Sequence, residues 1–229
     1  MTDFIQQRQQ ILMQIAAVCA QAGRAPDAVQ LLAVSKTQPA ESIRQLWATG
    51  QSAFGENYLQ EALAKQVELA DLPIEWHFIG QIQRNKTRDL AANFAWVHGV
   101  DRLVIAERLS SQRSSEQPAL NICLQVNIDD EDSKAGCTPD ELPALVAAIS
   151  QLPHLRLRGV MVIPAKQNTD AFVQTARLFA EARAVHAQPD DWDTLSMGMS
   201  ADLAEAIHAG ATIVRIGTAL FGARFGAQR

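Results

Sequence analysis

The run LLAVSK (31–36) ends an alternating apolar segment on a lysine. Lys36 shares the period-two phase of Leu32 and Val34, so in a strand it points to the face they occupy. Most lysines at strand ends carry their ammonium out to water. On an apolar face a second chemistry opens: desolvation lowers the pKa, and the neutral amine attacks aldehydes to give a Schiff base. Two further segments suit an anion. SMGMS (196–200) brings Ser196, Gly198, Met199 and Ser200 together ahead of SADLAEAIHAG, with Ser200 where a helix N-cap belongs. First-turn N–H groups there would face any anion. In RIGT (215–218), Gly217 lets the backbone come close and Thr218 adds a hydroxyl. The plainer readings are a helix cap and a glycine turn. Arg215 stands between Val214 and Ile216, and a permanent guanidinium in an apolar strand needs a partner. That partner is a strand-end carboxylate such as Glu56 or a ring nitrogen of a ligand.

The elements that must position these groups follow a rhythm. Residues 3–22 carry apolar positions at helical spacing and stop at Gly23. Then short runs rich in β-branched and aromatic residues recur at 31–36, 52–57, 74–80, 94–100, 121–128, 158–163, 193–199 and 212–217. Helical patterns separate them near 39–49, 58–70, 84–92, 101–112, 139–151, 168–187 and 200–209. Alternation of this kind predicts βα units and a parallel sheet. Eight strand candidates predict an α/β fold, a (β/α)8 TIM-type barrel with an extra N-terminal helix; an open doubly wound sheet is the runner-up. We read residues 1–229 as a single domain, with 1–24 the added helix and 30–224 the barrel. Barrel sites gather at the C-terminal ends of strands, so Lys36, Asn57, His77, the 196–200 turn and Arg215–Thr218 would meet at one mouth. Loops after strands seven and eight form the recurrent phosphate site of that fold.

Composition narrows the partners. The net charge of −5 with scattered Lys and Arg argues against nucleic acid. No apolar stretch is long enough for a membrane span, and the polar start MTDFIQQRQQ lacks a secretory signal. Cys19, Cys123 and Cys137 are odd in number and lie far apart, without metal-ligand spacing, which favours a reduced cytoplasmic setting and no metal.

The strings AVSKT, FGENYLQEA, WHFIGQIQRNK, DSKAGC, RLRGVMVIP, LSMGMSADLAEAI and VRIGTALFGAR, in this order from Leu31 to Arg224, resemble the pyridoxal 5′-phosphate homeostasis proteins. These are single-domain relatives of the alanine racemase N-terminal barrel. The resemblance implies pyridoxal 5′-phosphate held as an internal aldimine on Lys36, with Asn57 and His77 lining its ring and substituents. Ser200 and the backbone of Gly198 and Met199 would join Gly217 and Thr218 on the phosphate, with Ser196 supporting the turn. Arg215 would face the pyridine nitrogen. A permanent cation there disfavours ring protonation and weakens the electron sink, which suits holding the cofactor better than broad amino-acid chemistry.

Three functions compete: a cofactor carrier in intracellular vitamin B6 and amino-acid homeostasis, a small racemase-like enzyme, and an unrelated barrel with a structural lysine. Racemases of this fold use a tyrosine from a C-terminal domain as second base. Here the chain ends at Arg229, and its only tyrosine is Tyr58 beside Asn57. We therefore expect no substantial turnover, apo enzymes that depend on the cofactor as acceptors, and a monomer. His98 reads as a satisfied core histidine, and Asn85, Lys86 and Arg88 as exposed helix residues. Ser133, Lys134 and Gly136 form a loop without an assigned role. Cys137, His154, His186 and His208 receive none.

Overall fold

The structure is a computed structural model that describes residues 3–129, 135–165, 168 and 170–222. Eight parallel strands close a barrel in sequence order: β1 (Gln30–Val34), β2 (Ala53–Glu56), β3 (Glu75–Phe78), β4 (Trp96–Val100), β5 (Leu120–Gln125), β6 (Leu155–Met161), β7 (Thr194–Ser196) and β8 (Ile213–Ile216). β8 returns to β1 with Leu32 opposite Arg215 and Ala33 opposite Ile216. The open doubly wound alternative is thereby excluded.

Period-two alternation sorts the side chains into two layers. Leu31, Ala33, Phe54, Phe78, Val97, Val214 and Ile216 face outward into the core shared with the helices. Leu32, Val34, Ala53, Ile79 and Ile213 pack together inside the barrel, and Trp96, Cys123 and Met161 form a second inner cluster. Fully burying one large aliphatic or aromatic side chain contributes roughly 1.5–3 kcal/mol, so the outer layer carries most of the stability. The inner layer also holds His77, His98, Ser196 and Arg215, all buried.

Helix α1 (Phe4–Gln21) starts where the Asp3 carboxylate accepts the Gln6 N–H at 3.0 Å. It ends just before Gly23, whose φ of 67° is left-handed. Its apolar stripe Phe4, Ile11, Ile15, Val18 and Cys19 is buried, and the Phe4 ring meets Phe221 edge-on at 6.0 Å. Arg8 fastens it by donating to the carbonyls of Thr49 and Gly50, both at 3.0 Å.

The structure corrects one boundary that matters for the site. The helix expected from Ser200 is α8 (Leu203–His208), and Asp202, not Ser200, is the residue at its start. The Asp202 carboxylate turns back to accept the Met199 N–H at 2.6 Å, which keeps residues 199–202 in a turn and leaves Ser200 exposed. A second short helix, α9 (Thr218–Phe221), follows Gly217 directly. Four residues are too few to leave a periodic trace in the sequence.

Candidate functional site

The lysine corner is built by alternation. Val34 faces inward beside the inner cluster, and Lys36 lies two residues on at the barrel rim, half-buried. Ser35 has the opposite phase, which places it against Glu56 at the end of β2 and Lys65 on α3 (Leu59–Glu68). Ser35 Oγ donates to Glu56 Oε1 at 2.6 Å. Lys65 Nζ donates to Ser35 O at 2.8 Å, Glu56 Oε1 at 2.7 Å and Glu61 Oε1 at 2.6 Å. Glu61 Oε1 also accepts the Thr37 N–H at 2.6 Å, so the chain is tied on both sides of Lys36. Thr37 has φ of 63°, a left-handed value that a β-branched residue adopts only when its surroundings impose it. Burial raises the Glu56 pKa and the adjacent Lys65 ammonium opposes that rise. Because Glu56 is committed to Lys65, it is not the partner of Arg215.

Lys36, Val34, Gln38, Gly217, Thr218 and Gly222 line one small cavity of about 40 Å³. Gln38 Oε1 and Asn57 Oδ1 are buried without a hydrogen-bond partner among the described residues. Buried polar atoms without partners are rare, and Gln38, in the wall of the cavity that Lys36 lines, marks a place where a polar ligand fits. A pyridine aldehyde phosphate suits this donor set: an amine for the aldehyde, amides for ring substituents, and a glycine turn with a hydroxyl for the phosphate. Asn57 itself lines a larger neighbouring cleft of about 410 Å³ with Tyr58, Gly80, Gln83 and Lys86. That cleft lies beside the starts of α3 and α4 (Thr87–Asn93), not over the lysine.

After β7, two strands from β1 around the barrel, Gly198 has φ of 94°, and a Cβ there would sit 2.6 Å from the Ala206 Cβ. Only glycine lets the turn pass. Gly198 O accepts the Arg215 N–H at 2.9 Å, which couples the two loops. Ser200, Met199 and Thr218 are exposed around this turn.

Arg215 points inward and is 5% exposed. Its Nη1 donates to Ser196 O at 2.6 Å and to Ser196 Oγ at 3.0 Å, and Nη2 donates to Val162 O at 2.9 Å. Burial lowers the guanidinium pKa to about 10, still charged at neutral pH. Ser196 Oγ lies 2.9 Å from His98 Nδ1, and His98 Nε2 lies 2.9 Å from His77 Nδ1. His77 stacks on Trp96 and its Nε2 meets Glu75 Oε1 at 2.8 Å. Burial depresses both imidazoles, His98 most, so the His77–Glu75 contact is a hydrogen bond from a neutral ring, not an ion pair. His77 is thus placed inside the barrel and reaches the rim through His98 and Ser196; it does not line the cavity beside Lys36.

Sequence reasoning missed Lys65, Glu61, Ser35 and Glu75. The one available signal was Lys65, a lysine on the buried stripe of Leu59 and Ala62 in α3, with buried Leu69 just beyond the helix. Among the other residues singled out, Asn85 and Arg88 are exposed, and Lys86 lines the cleft beside Asn57. Cys137 is buried with its thiol pushed up to about 12, which removes it as a nucleophile at neutral pH. Ser133 and Lys134 lie outside the described residues.

Comparison with known proteins supplies the family. The description "Alanine racemase, N-terminal domain" matches residues 9–225. A pyridoxal phosphate homeostasis protein of Pseudomonas aeruginosa is 60% identical over 204 residues, covering 89% of this chain and 88% of that protein. Its namesake in Escherichia coli is 47% identical over 229 residues, 98% of each. The solved structure of PipY from Synechococcus elongatus with PLP bound has a TM-score of 0.77 and 40% identity, over 91% of this chain and 100% of that one. Alanine racemase from Corynebacterium glutamicum, 16% identical with a TM-score of 0.67 over 96% of this chain and 63% of its own, shares the fold alone. The chain belongs to the alanine racemase N-terminal domain family, among the pyridoxal phosphate homeostasis proteins.

Proposed function

We propose that this chain is a single pyridoxal-phosphate-binding barrel domain that holds the cofactor covalently, as an aldimine on Lys36, and serves vitamin B6 and amino-acid homeostasis without substantial turnover. The observation that carries the reading is Lys36 on the inner phase of β1, sharing a cavity with Gly217 and Thr218. The PLP-bound PipY, at 40% identity, supports the ligand. Ser200, the backbone of Gly198, Gly217 and Thr218 hold the phosphate, and the Met199 N–H joins them only when the Asp202 carboxylate releases it. Asn57 approaches the ring substituents through its unpartnered Oδ1. Arg215 faces the ring nitrogen, and Ser196 and His77 stand behind it. When bound, the cofactor supplies an electrophilic aldehyde and an electron sink that the arginine weakens.

A racemase-like enzyme needs a second base across from Lys36. The only tyrosine, Tyr58, is 56% exposed and lines the outer cleft, so it does not serve. The holder reading places the protein as a monomer in the cytoplasm, a setting in keeping with three free buried cysteines. It delivers cofactor to apo enzymes through an open mouth. Purified protein should be yellow, and borohydride reduction followed by peptide mapping should place the pyridoxyl group on Lys36. A colourless Lys36→Ala variant is expected. Mixing holo protein with an apo transaminase, free cofactor being scavenged, should restore transaminase activity. Label on another lysine would sink the site, and ordinary enzymatic rates on any amino acid, lost in Lys36→Ala, would sink the carrier.

A further inference from the structure

We infer that Glu75, His77, His98 and Ser196 form a one-directional hydrogen-bond relay through the barrel that positions Arg215, with His98 and Glu75 as its positioning residues. The relay stands on geometry alone; its effect on bound cofactor rests on the reading that Arg215 faces the ring.

Four contacts connect the groups without a gap: Arg215 Nη1 to Ser196 Oγ at 3.0 Å, Ser196 Oγ to His98 Nδ1 at 2.9 Å, His98 Nε2 to His77 Nδ1 at 2.9 Å, and His77 Nε2 to Glu75 Oε1 at 2.8 Å. The two ends fix the direction. A guanidinium only donates and a carboxylate only accepts. Ser196 Oγ accepts from Arg215, so its own proton goes to His98 Nδ1. His98 then carries hydrogen on Nε2 and donates to His77 Nδ1. His77 carries hydrogen on Nε2 and donates to Glu75. Every proton has an acceptor, and both rings are neutral in the same tautomer.

An added proton breaks this order. On His77 Nδ1 it would face the His98 N–H across 2.9 Å, donor against donor. On His98 Nδ1 it would strip the Ser196 hydroxyl of its acceptor. The charged and titratable groups around the rings are Glu75 on β3, Arg215 on β8, Arg158 on β6 over the Trp96 ring at 5.0 Å, and Cys123 on β5, whose thiol burial keeps protonated. Glu75 is held below the usual carboxylate range, first by His77, and the Trp96 indole and Gln30 also bond to it. Its side chain is 43% exposed at the start of β3, so the relay runs from the solvent-facing floor of the barrel to the arginine near the mouth.

Two measurements test it. In protein free of cofactor, ¹⁵N NMR should show His77 and His98 as neutral Nε2–H tautomers that do not titrate between about pH 5 and 8. Glu75→Gln, which keeps an acceptor, should preserve this, and Glu75→Ala should not. A titrating ring or an Nδ1–H tautomer at either position in the wild-type protein overturns the relay whether or not cofactor binds Lys36. In the loaded protein, His98→Phe should move the apparent pKa of the cofactor's absorption change by about half a unit or more, while Glu75→Gln leaves it near wild type. If His98→Phe does not fold, Ser196→Ala interrupts the same chain. A loaded variant of either kind with an unchanged spectrum and titration overturns the positioning of Arg215, yet leaves the attachment at Lys36 intact. Absence of cofactor from the wild-type protein would sink the proposed function, and the NMR result would still decide the relay.

Discussion

The two stretches of barrel rim that flank β1, toward β2 and toward β8, are built to different standards. Around Lys36 the chain is tied by a buried ammonium and two carboxylates, and a threonine is forced to a φ of 63°. On the other side of Lys36, toward β8 and β7, the turn at 198–202 and the start of α9 present exposed Met199, Ser200 and Thr218. The Asp202 carboxylate already occupies the Met199 N–H there. A buried cluster holds geometry at the expense of desolvating charges, whereas exposed hydroxyls must compete with water for any anion. The contrast suits the proposed holder, with a firm corner at Lys36 and a looser grip on the phosphate.

The largest test removes the tie itself. Lys65→Met should destabilise the fold by about 3–5 kcal/mol, because the fully buried Glu56 would lose its counter-charge. Guanidinium unfolding measures this, and a loss well under 1 kcal/mol would mean that the corner is held by packing alone. On the β8 side, pyridoxal should bind about a hundredfold more weakly than pyridoxal 5′-phosphate, as expected for two charge-assisted hydrogen bonds at about 1.5 kcal/mol each. Equal affinities in a spectral titration would show a rim even weaker than its exposure implies.

Acid should separate the interior from both rims. The folded-state pKa values of His77 and His98 are lowered from 6.5, so below that pH the unfolded chain takes protons that the folded barrel refuses. Stability should therefore fall as pH drops below 6.5, by up to about 1.4 kcal/mol per pH unit for each ring. Unfolding curves at several pH values check this, with a shallower slope expected in His98→Phe. An unchanged slope would assign acid sensitivity elsewhere. The smallest effect is expected at Asp202→Asn, which removes a negative charge beside the proposed phosphate position. Cofactor retention should rise by no more than about tenfold, since near-surface charges interact weakly, with stability unaltered. Weaker retention would show that Asp202 orders the turn more than it repels the phosphate.

Much of this was legible in the chain. Alternation in LLAVSK placed Lys36 on the inner face because strand periodicity is a local property. Arg215 was expected at the mouth because it lies near the C-terminal end of its run, and eight such runs implied closure. Ser200 misled, since SADLAEAI has the pattern of a capped helix and the sequence cannot show that Asp202 will bond to Met199. Glu56 was weighed as the partner of Arg215, yet its phase turns it outward to Lys65.

The sequence by itself determined the strands and their inward and outward faces, since these follow from short-range periodicity, and its motifs named the residues proposed to bind a phosphorylated aldehyde. Only the tertiary structure decided which polar groups meet. Glu75, His77, His98, Ser196 and Arg215 come from four strands, and closing the barrel removes all of them but the partly exposed Glu75 from water together. Each must then find its hydrogen-bond partner among the others, a pairing that no local stretch of chain encodes.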